Sequence, residues 1–413
     1  MKKKYLAYFI PDLISLNAKI ISQKFLIEKL CKNFDKLFII NTQNLKFLKT
    51  DEVYNAKDFL LDKKNSKFII KNKYLKLPNN VHFFSPSCIK DFENFMINKE
   101  LVVINSIGRH FNELRVHFLI KKYNIRQIQI SNLGNLQTEI HPVKKYDLMS
   151  LLYKYEHKFS RLITVILSNL GFISKIDIRF ITDKKILKTK NNNNFLFNYF
   201  KLGFYKRHIL INSKAYDNLI SNNPKISENK IVLLDVMFDH PEFLEMGSTP
   251  KLKDLKKYYK SIKQFLELLK KKYKKKVVIC IHPKDSLKNK KRIYNKYAVI
   301  KYATQKNIIE SFMVLFTDSS AIIDAILLKK KIIIIDSSFI DKNSRRVAND
   351  YHKKTGIFRL DLNNYTFKSK KKFLQLVDKS KNKQLRYTKS FVAPDKDNLG
   401  YKKIINVLKK EFF

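Results

Sequence analysis

Two apolar segments in the last third of the chain constrain its fold most strongly. They are VVICIHPKD, from Val277 to Asp285, and VLFTDSSAIIDAILLKKKIIIID, from Val314 to Asp336. Each apolar run ends in polar or ionisable residues, which is typical of a buried parallel strand that opens into a loop. The second segment continues through a helix-length apolar stretch into another apolar run, so it predicts a β-loop-α-β unit. Because open α/β sheets bind ligands where their strands end, we expect both ends to form one anion-binding pocket.

Strand and helix patterns alternate over both halves of the chain, which indicates parallel βαβ units. The predicted strands include Tyr5–Ile10, Lys36–Asn41, Leu101–Asn105, Gln127–Ser131, Ile231–Phe238, Val277–Ile281 and Ala298–Lys301. The Lys-rich segment Leu252–Tyr273 is predicted to be an amphipathic helix. A length of 413 residues exceeds the usual size of a single core. The polar stretch from Ser221 to Lys230 is typical of a linker. We therefore predict an α/β fold with two Rossmann-like domains that face a cleft.

The predicted boundaries follow from this alternation. Residues 1–225 form the N-terminal Rossmann-like domain, which includes a helical insertion at residues 145–200 before the linker. Residues 226–395 form the C-terminal Rossmann-like domain, and residues 396–413 form a C-terminal helix.

The formal net charge of +48 is the strongest signal in the composition. Charge alone favours a polyanion-binding protein. The excess comes from Lys scattered along the whole chain together with many Asn and Ile, a mixture typical of AT-rich genomes. We interpret it as compositional drift and solvated faces, and keep polyanion binding as the non-enzymatic alternative. Since no RNA-recognition, helix-turn-helix or finger motif is present, we expect no specific nucleic-acid partner.

The three cysteines, Cys31, Cys88 and Cys280, are too widely spaced to indicate a disulfide framework or a zinc site. A reducing, cytoplasmic location is therefore expected. The apolar run after MKKK is too short for a signal peptide and predicts a first strand instead. The longest apolar stretch, Phe159–Ile173, is interrupted by polar residues, so it predicts a buried helix, with a membrane-surface helix as the alternative.

His282 directly follows the first apolar strand. Pro283 prevents further ladder pairing and fixes the exit direction of the chain. We therefore predict that the His282 imidazole donates a hydrogen bond to a phosphate oxygen, with Pro283 and the adjacent Lys284 in the same loop. The alternative is an ordinary turn with an exposed histidine.

The second strand end carries Thr317, Asp318, Ser319 and Ser320 before a predicted helix at Ala321–Leu328. Ser and Asp are good N-caps, so these residues are explained equally by helix capping. The same position can bind a phosphate through free amides and two hydroxyls. Asp324 lies inside the apolar helix, where an unpaired carboxylate is costly. We expect it to meet His282, a backbone amide or a substrate hydroxyl.

A third strand end is LLDVMFDHPEF, from Leu233 to Phe243. It carries Asp235, Asp239, His240 and Glu242 within eight positions. Such carboxylates suit magnesium, but they also cap loops. We assign Asp239 and His240 to the donor-binding side and predict neither a metal site nor a cofactor.

The first half offers candidates for a general base. Asp12 follows the first predicted strand, and Glu139 and His141 follow a turn at Gly134. Each lies where loops of the facing domain are expected to meet the cleft. We name Asp12 and Glu139 as the candidate catalytic bases.

The order of these C-terminal motifs resembles that in GT-B glycosyltransferases of bacterial surface polysaccharide biosynthesis. CDP-glycerol glycerophosphotransferases carry a T-D-Y-S-S segment, a helical Asp, a Lys-Pro and a strand that ends in Asp. The corresponding positions here are Thr317, Asp318, Ser319, Ser320, Asp324, Lys330, Lys331 and Asp336. The Tyr is missing and Lys replaces the Pro. Bacterial polysialyltransferases are also similar, through an HP motif and a downstream Ser-Ser, although their acidic base motif has no match here.

The resemblance implies a metal-independent glycosyltransferase. A nucleotide-sugar donor, which is a substrate, would bind the C-terminal domain through His282, Ser319 and Ser320. A glycan or glycolipid acceptor of capsule or lipopolysaccharide type would bind the N-terminal domain. The basic surface favours peripheral association with anionic lipid at the inner face of the cell membrane. The alternatives are a glycerophosphotransferase that uses CDP-glycerol and a UDP-sugar epimerase of the same architecture.

Overall fold

The chain divides into two compact units. The computed structural model describes residues 3–11, 23–47, 59–62, 67–70, 77–97, 99–131, 148–184, 203–238, 249–283, 285–365, 369–395 and 398–413. The N-terminal unit consists of Met1–Asn132, Tyr153–Asp217 and Pro394–Phe413. The C-terminal unit consists of Leu133–Leu152 and Asn218–Ala393. The last segment of the chain thus belongs to the same unit as the first.

The strands are numbered here in chain order. They are β1 Lys3–Ile10, β2 Leu37–Asn41, β3 Phe59–Asp62, β4 Lys67–Ile70, β5 Val81–Phe84, β6 Lys99–Asn105, β7 Arg126–Ser131, β8 Ile176–Ile181, β9 Tyr205–Leu210, β10 Lys230–Leu234, β11 Lys276–Ile281, β12 Ala298–Lys301, β13 Ser311–Phe316, β14 Lys331–Asp336 and β15 Phe358–Asp361.

The helices lie between and after these strands. They are α1 at residues 23–31, α2 Ile89–Met96, α3 Leu114–Lys122, α4 Leu148–Asn169, α5 Lys214–Asn222, α6 Leu252–Tyr273, α7 Leu287–Ile293, α8 Thr304–Ile309, α9 Ile322–Leu327, α10 Lys342–Thr355, α11 Lys370–Asp378, α12 Lys381–Tyr387 and α13 Gly400–Glu411. Short 3-10 helices at Gln43–Leu45 and Phe111–Glu113 and a π-helix at Thr388–Val392 complete the described helical segments.

The N-terminal unit is built on a seven-stranded sheet of order β5-β2-β1-β6-β7-β8-β9. All its pairs are parallel, and β3 and β4 form a separate antiparallel pair. Helices α1 and α13 pack their apolar side chains on one face, and α2 and α3 pack on the other. Both faces are therefore covered, as expected for a parallel sheet.

The C-terminal unit is built on a six-stranded parallel sheet of order β12-β11-β10-β13-β14-β15. Renumbered within the unit, this is the 3-2-1-4-5-6 order of the Rossmann fold. The amphipathic helix α6 packs Tyr258, Ile262, Phe265, Leu266 and Leu269 against it. Its bounds agree with those predicted from the helical periodicity of the Lys-rich segment. The predicted fold class, with two Rossmann-like domains, is confirmed.

The helical insertion expected at residues 145–200 needs correction. Its described part contains α4, but also β8, which pairs in parallel with β7 and β9. Helix α4 is thus a crossover between neighbouring strands. The sequence IDIRFI alternates apolar and polar residues with a period of two, as a half-buried strand does. That short signal was masked by the longer helical pattern before it.

The segment Phe159–Ile173, expected to be a buried helix, is buried on one face, where Val165 and Ile173 belong to an apolar cluster. The buried face also carries Ser160, Thr164 and Ser168, whereas Phe159 is 62% exposed. The Thr164 hydroxyl donates to the Ser160 carbonyl at 2.8 Å, so burial leaves it satisfied. Within the described part of the chain, no helix has the length and hydropathy needed to cross a bilayer.

Candidate functional site

The site begins at the centre of the C-terminal sheet, where the strand order reverses. Strand β10 pairs with β11 on one side and with β13 on the other, so Leu234 is in register with both Cys280 and Phe316. Ligands of doubly wound sheets bind in the crevice outside the strand ends at this switch point. The loops after β11 and β13 flank it, and their first residues are separated by two strand spacings, about 10 Å.

His282 is the first residue beyond β11 and is half-buried. Its carbonyl accepts a hydrogen bond from the Asp285 amide at 2.9 Å, which closes a turn around Pro283. The chain then enters α7, where the Ser286 hydroxyl accepts the Asn289 amide at 3.3 Å. This turn keeps the imidazole at the edge of the sheet. Lys284 lies outside the described residues.

The four polar residues after β13 differ in their surroundings. Thr317 is buried, and its hydroxyl donates to the Ile335 carbonyl at 2.9 Å, so it joins the ends of β13 and β14. Asp318 and Ser319 are half-buried, and Ser320 is exposed. The serine hydroxyls are therefore the accessible donors at this strand end.

The helix after these residues is shorter than predicted. It begins at Ile322 and ends at Leu327, and its N-cap is Ala321, whose side chain makes no capping hydrogen bond. The Ser319 hydroxyl instead accepts the Ala321 amide at 3.4 Å within the preceding turn. The capping alternative required a Ser or Asp side chain to accept an amide of the first turn of the helix, whereas Ser319 accepts the amide of the N-cap residue. The helix begins one residue later than predicted because Ala321 belongs to the tight turn that starts at Ser319.

Asp324 is buried in α9, as its apolar neighbours indicated. Its carboxylate accepts a hydrogen bond from the Gln305 side chain at 3.2 Å, and the Gln305 carbonyl oxygen accepts one from Asn218 at 2.6 Å. Gln305 was not among the partners expected for Asp324. It lies 19 positions earlier, in α8, which the sequence pattern did not bring next to α9.

Asp235 is a structural residue. Its carboxylate accepts hydrogen bonds from Lys290 at 2.6 Å and from the Tyr294 hydroxyl at 2.8 Å. Lys290 also lies 3.3 Å from Asp285 and donates to the Tyr259 hydroxyl at 2.9 Å. Burial alone would lower the pKa of Lys290, but the charge of Asp235, with those of Tyr259 and Asp285, raises it instead. This ion-pair network fixes the loops after β10 and β11 to α7.

Two further positions of the resemblance also stabilise the fold. Asp336 is buried at the end of β14 and receives the guanidinium groups of Arg345 at 3.1 Å and Arg359 at 3.0 Å. Lys330 is buried and donates to three backbone carbonyls, those of Ser227, Ile309 and Ser311, at 2.7–3.0 Å. Burial lowers the pKa of Lys330. Both charges are therefore engaged by partners within the fold.

Several candidates lie outside the described residues. They are Asp12, Gly134, Glu139, His141, Asp239, His240, Glu242 and Lys284. The assignments of Asp12 and Glu139 as bases, and of Asp239 and His240 to the donor side, stay predictions. Where the structure does describe side chains, no three His, Cys, Asp or Glu groups form a cluster that could hold a metal ion.

Sequence reasoning missed Lys290, Gln305 and the two arginines on Asp336. Lys290 carried no distinguishing signal, because 84 of the residues are Lys or Arg. Gln305 and Arg359 are brought to the site by strands and helices far apart in sequence, so only the three-dimensional arrangement shows their partners.

Comparison with known proteins defines the fold. No protein-family model and no functionally curated protein matches the sequence. Among solved structures, a Listeria monocytogenes protein assigned as a UDP-N-acetylglucosamine 2-epimerase has a TM-score of 0.51 at 11% identity, over 100% of this chain and 97% of that one. The wall teichoic acid polymerase TagF has a TM-score of 0.50 at 13% identity, over 98% and 89%.

A third structure, the UDP-GlcNAc 2-epimerase of Methanocaldococcus jannaschii in complex with UDP-GlcNAc and UDP, has a TM-score of 0.48 at 14% identity, over 98% of this chain and 99% of that one. At such identities the likeness concerns the fold. The chain has the two-domain Rossmann-like GT-B fold.

Proposed function

We propose that this protein is a GT-B glycosyltransferase that binds a nucleotide-activated sugar in its C-terminal unit. One observation carries the proposal: His282, Ser319 and Ser320 remain accessible at the two strand ends that flank β10. The neighbouring charges of Asp235, Lys290, Lys330 and Asp336 are held within the fold. The accessible groups are hydrogen-bond donors, and donors at a Rossmann switch point suit a nucleotide phosphate.

The proposed mechanism is differential stabilisation of the leaving nucleotide. As the bond between the sugar and the phosphate oxygen breaks, negative charge develops on the phosphate, and donors that are already oriented stabilise it. A general base removes the proton from the acceptor hydroxyl, whose oxygen forms the new bond to the sugar. Asp12 and Glu139 are our proposed bases. The acceptor is a glycan or glycolipid of the cell surface.

A UDP-sugar epimerase is the second candidate, because the fold of the Listeria protein matches this one over nearly the full length of both chains. The two reactions differ in what they need. An epimerase turns over a nucleotide sugar alone, whereas a transferase releases the nucleotide only when an acceptor hydroxyl is present. A glycerophosphotransferase would use CDP-glycerol in place of a nucleotide sugar.

The test is proton NMR of a panel of nucleotide sugars and CDP-glycerol, each incubated with the protein with and without a mixture of surface glycans and glycolipids. We expect no change without acceptor and release of free nucleotide with acceptor. His282→Ala should lower that rate by about 10²–10³, the loss typical of one oriented donor, whereas Ser338→Ala, an exposed hydroxyl after β14, should leave it unchanged. Conversion to an epimeric nucleotide sugar without acceptor would identify the epimerase instead.

A further inference from the structure

A second cluster of cations lies in the N-terminal unit, outside the site described above. It comprises Arg109, four residues beyond the end of β6, Arg179 in β8 and His208 in β9. The strand register places Gln129, Arg179 and His208 side by side on β7, β8 and β9. Because registered residues of parallel strands point to the same face, these three side chains form one row.

Two aromatic rings bring the cluster together. The guanidinium carbon of Arg109 lies 5.4 Å from the centre of the Phe204 ring and 6.0 Å from that of Tyr205. The guanidinium carbon of Arg179 lies 4.7 Å from the same Tyr205 ring, and the His208 ring lies 5.4 Å from it. Tyr205 therefore contacts two guanidinium groups and an imidazole. All three are half-buried, so each keeps access to solvent.

The positive charge of this cluster is not neutralised within the described part of the chain. No described carboxylate forms an ion pair with Arg109 or Arg179. The nearest carboxylate on the same face of β8, Asp177, pairs with Lys206 at 2.6 Å and accepts the Gln127 amide at 3.0 Å. In contrast, buried Lys290 has two carboxylates and buried Lys46 lies 3.7 Å from Glu113.

Hydrogen bonding within the row is also incomplete. The Nε of Arg179 and the Oε1 of Gln129 are buried atoms that have no hydrogen-bond partner among the described residues. Burial lowers the pKa of Arg109, and the charges of Arg161 and Arg179 lower it further, while Tyr205 acts in the opposite direction. Burial and then Arg179 lower the pKa of His208. A buried polar atom without a partner in the protein needs another explanation, such as a bound ion or water.

We propose that Arg109, Arg179 and His208 bind a phosphate group. Planar guanidinium groups match the geometry of phosphate oxygens and bind them with paired hydrogen bonds. A phosphate monoester carries up to two negative charges, which match the two guanidinium charges better than a single carboxylate does. Since the N-terminal unit is the one assigned to the acceptor, the phosphate would belong to a phosphorylated acceptor; that identification rests on the proposed function, whereas phosphate binding does not.

The test is calorimetric titration with glycerol 3-phosphate, inorganic phosphate and uncharged glycerol, carried out in the Ser319→Ala/Ser320→Ala background so that the C-terminal site does not contribute. We expect both phosphates, and not glycerol, to bind. Arg109→Gln and Arg179→Gln should each weaken binding at least tenfold. Arg207→Gln, on the opposite face of β9 and paired with Glu411, is the matched control and should change it less than twofold.

Thermal unfolding separates a binding role from a structural one. Removal of a charge that has no counter-ion should leave the melting temperature unchanged or raise it, so Arg179→Gln should lose phosphate binding without loss of stability. Arg179→Lys keeps the charge but not the paired donors, and should bind several-fold more weakly while it folds normally. Equal affinity in the wild type and both Gln variants, or a drop in melting temperature that accompanies lost binding, would overturn the proposal.

The outcomes for the two sites are distinguishable. If only the proposed phosphate site is wrong, nucleotides still bind and Ser319→Ala/Ser320→Ala still abolishes that binding. If only the proposed function is wrong, phosphate still binds at Arg109 and Arg179.

Discussion

A side chain's environment, more than its type, decides its role in this protein. Lys290 and Lys288 lie two positions apart in α7, yet Lys290 is buried against Asp235 and Asp285 while Lys288 is exposed. The buried carboxylates depend on Lys290 for a counter-ion, because an isolated buried charge costs several kcal/mol. Lys290 therefore holds the loops after β10 and β11 in place beside His282.

We expect Lys290→Met to destabilise the protein by about 3–5 kcal/mol, since it leaves two buried carboxylates without their cation. Lys288→Met removes an exposed charge from the same helix and should change stability by about 0.5 kcal/mol or less. Urea unfolding of the two variants measures the difference. Equal stabilities would show that the network around Asp235 does not hold the loops.

At the residue scale, the sequence located the polar residues at strand ends better than it identified the partners of buried side chains; the role of the strand-end residues as phosphate donors stays a prediction. His282, Ser319 and Ser320 could be found because a strand that ends in polar residues leaves a local pattern. The Gln305–Asp324 contact and the two arginines on Asp336 leave none, because their partners come from other elements.

Two side chains of the N-terminal unit, Asp217 and Asn212, bind the start of α13 and the residues just before it. The Asp217 carboxylate, at the start of α5, accepts the amides of Gly400 at 2.9 Å and Tyr401 at 2.7 Å. The Asn212 side chain accepts the Asp395 amide at 2.9 Å and donates to the Asn398 carbonyl at 2.8 Å. An added Cβ at Gly400 would lie 2.7 Å from the Asn212 carbonyl oxygen, so the two segments approach closely.

The contact of Asp217 with the start of α13 makes the stability of the protein depend on pH. Burial raises the pKa of Asp217 from 3.8 to about 6, although the two amides act in the opposite direction. Between pH 3.8 and about 6, the folded protein keeps a proton on Asp217 that the unfolded chain has lost. The free energy of unfolding therefore falls as the pH rises through about 6. The free energy of unfolding of the wild type, relative to Asp217→Asn, should fall by about 2 kcal/mol from about pH 4.5 to about pH 7.5.

Urea unfolding at a series of pH values measures that difference, and Asp35→Asn, an exposed carboxylate in the turn before β2, is the control. The control should follow the wild type at every pH. If the difference in free energy of unfolding between wild type and Asp217→Asn does not change with pH, folding does not shift the pKa of Asp217, and the prediction is wrong.

At the element scale, strongly periodic segments were predicted well and ambiguous apolar runs were not. The long amphipathic helix α6 has the predicted bounds. The strand predicted at Ile231–Phe238 ends at Leu234, and the carboxylate of the next residue, Asp235, pairs with Lys290. A continuous apolar run contains no periodic signal that could mark this point.

For the whole molecule, the important result is that the C-terminal sheet has a single switch point and that the predicted donors lie around it. The alternation of strands and helices could be read from the sequence, and it predicted two Rossmann-like domains. The strand order could not, because it depends on pairings between segments far apart in the chain, such as β10 with β13. That order is what brings the loops after β11 and β13 to the same crevice.

The central claim is that this crevice binds a nucleotide. Thermal unfolding with CMP, CDP, UDP, GDP and their sugars tests it most directly, because a ligand at one hundred times its Kd adds about 2.7 kcal/mol to the stability of the folded state. We expect at least one nucleotide to raise the melting temperature, Ser319→Ala/Ser320→Ala to abolish the shift, and Ser338→Ala to retain it. No shift with any nucleotide, or an equal shift in the double variant, would contradict the account.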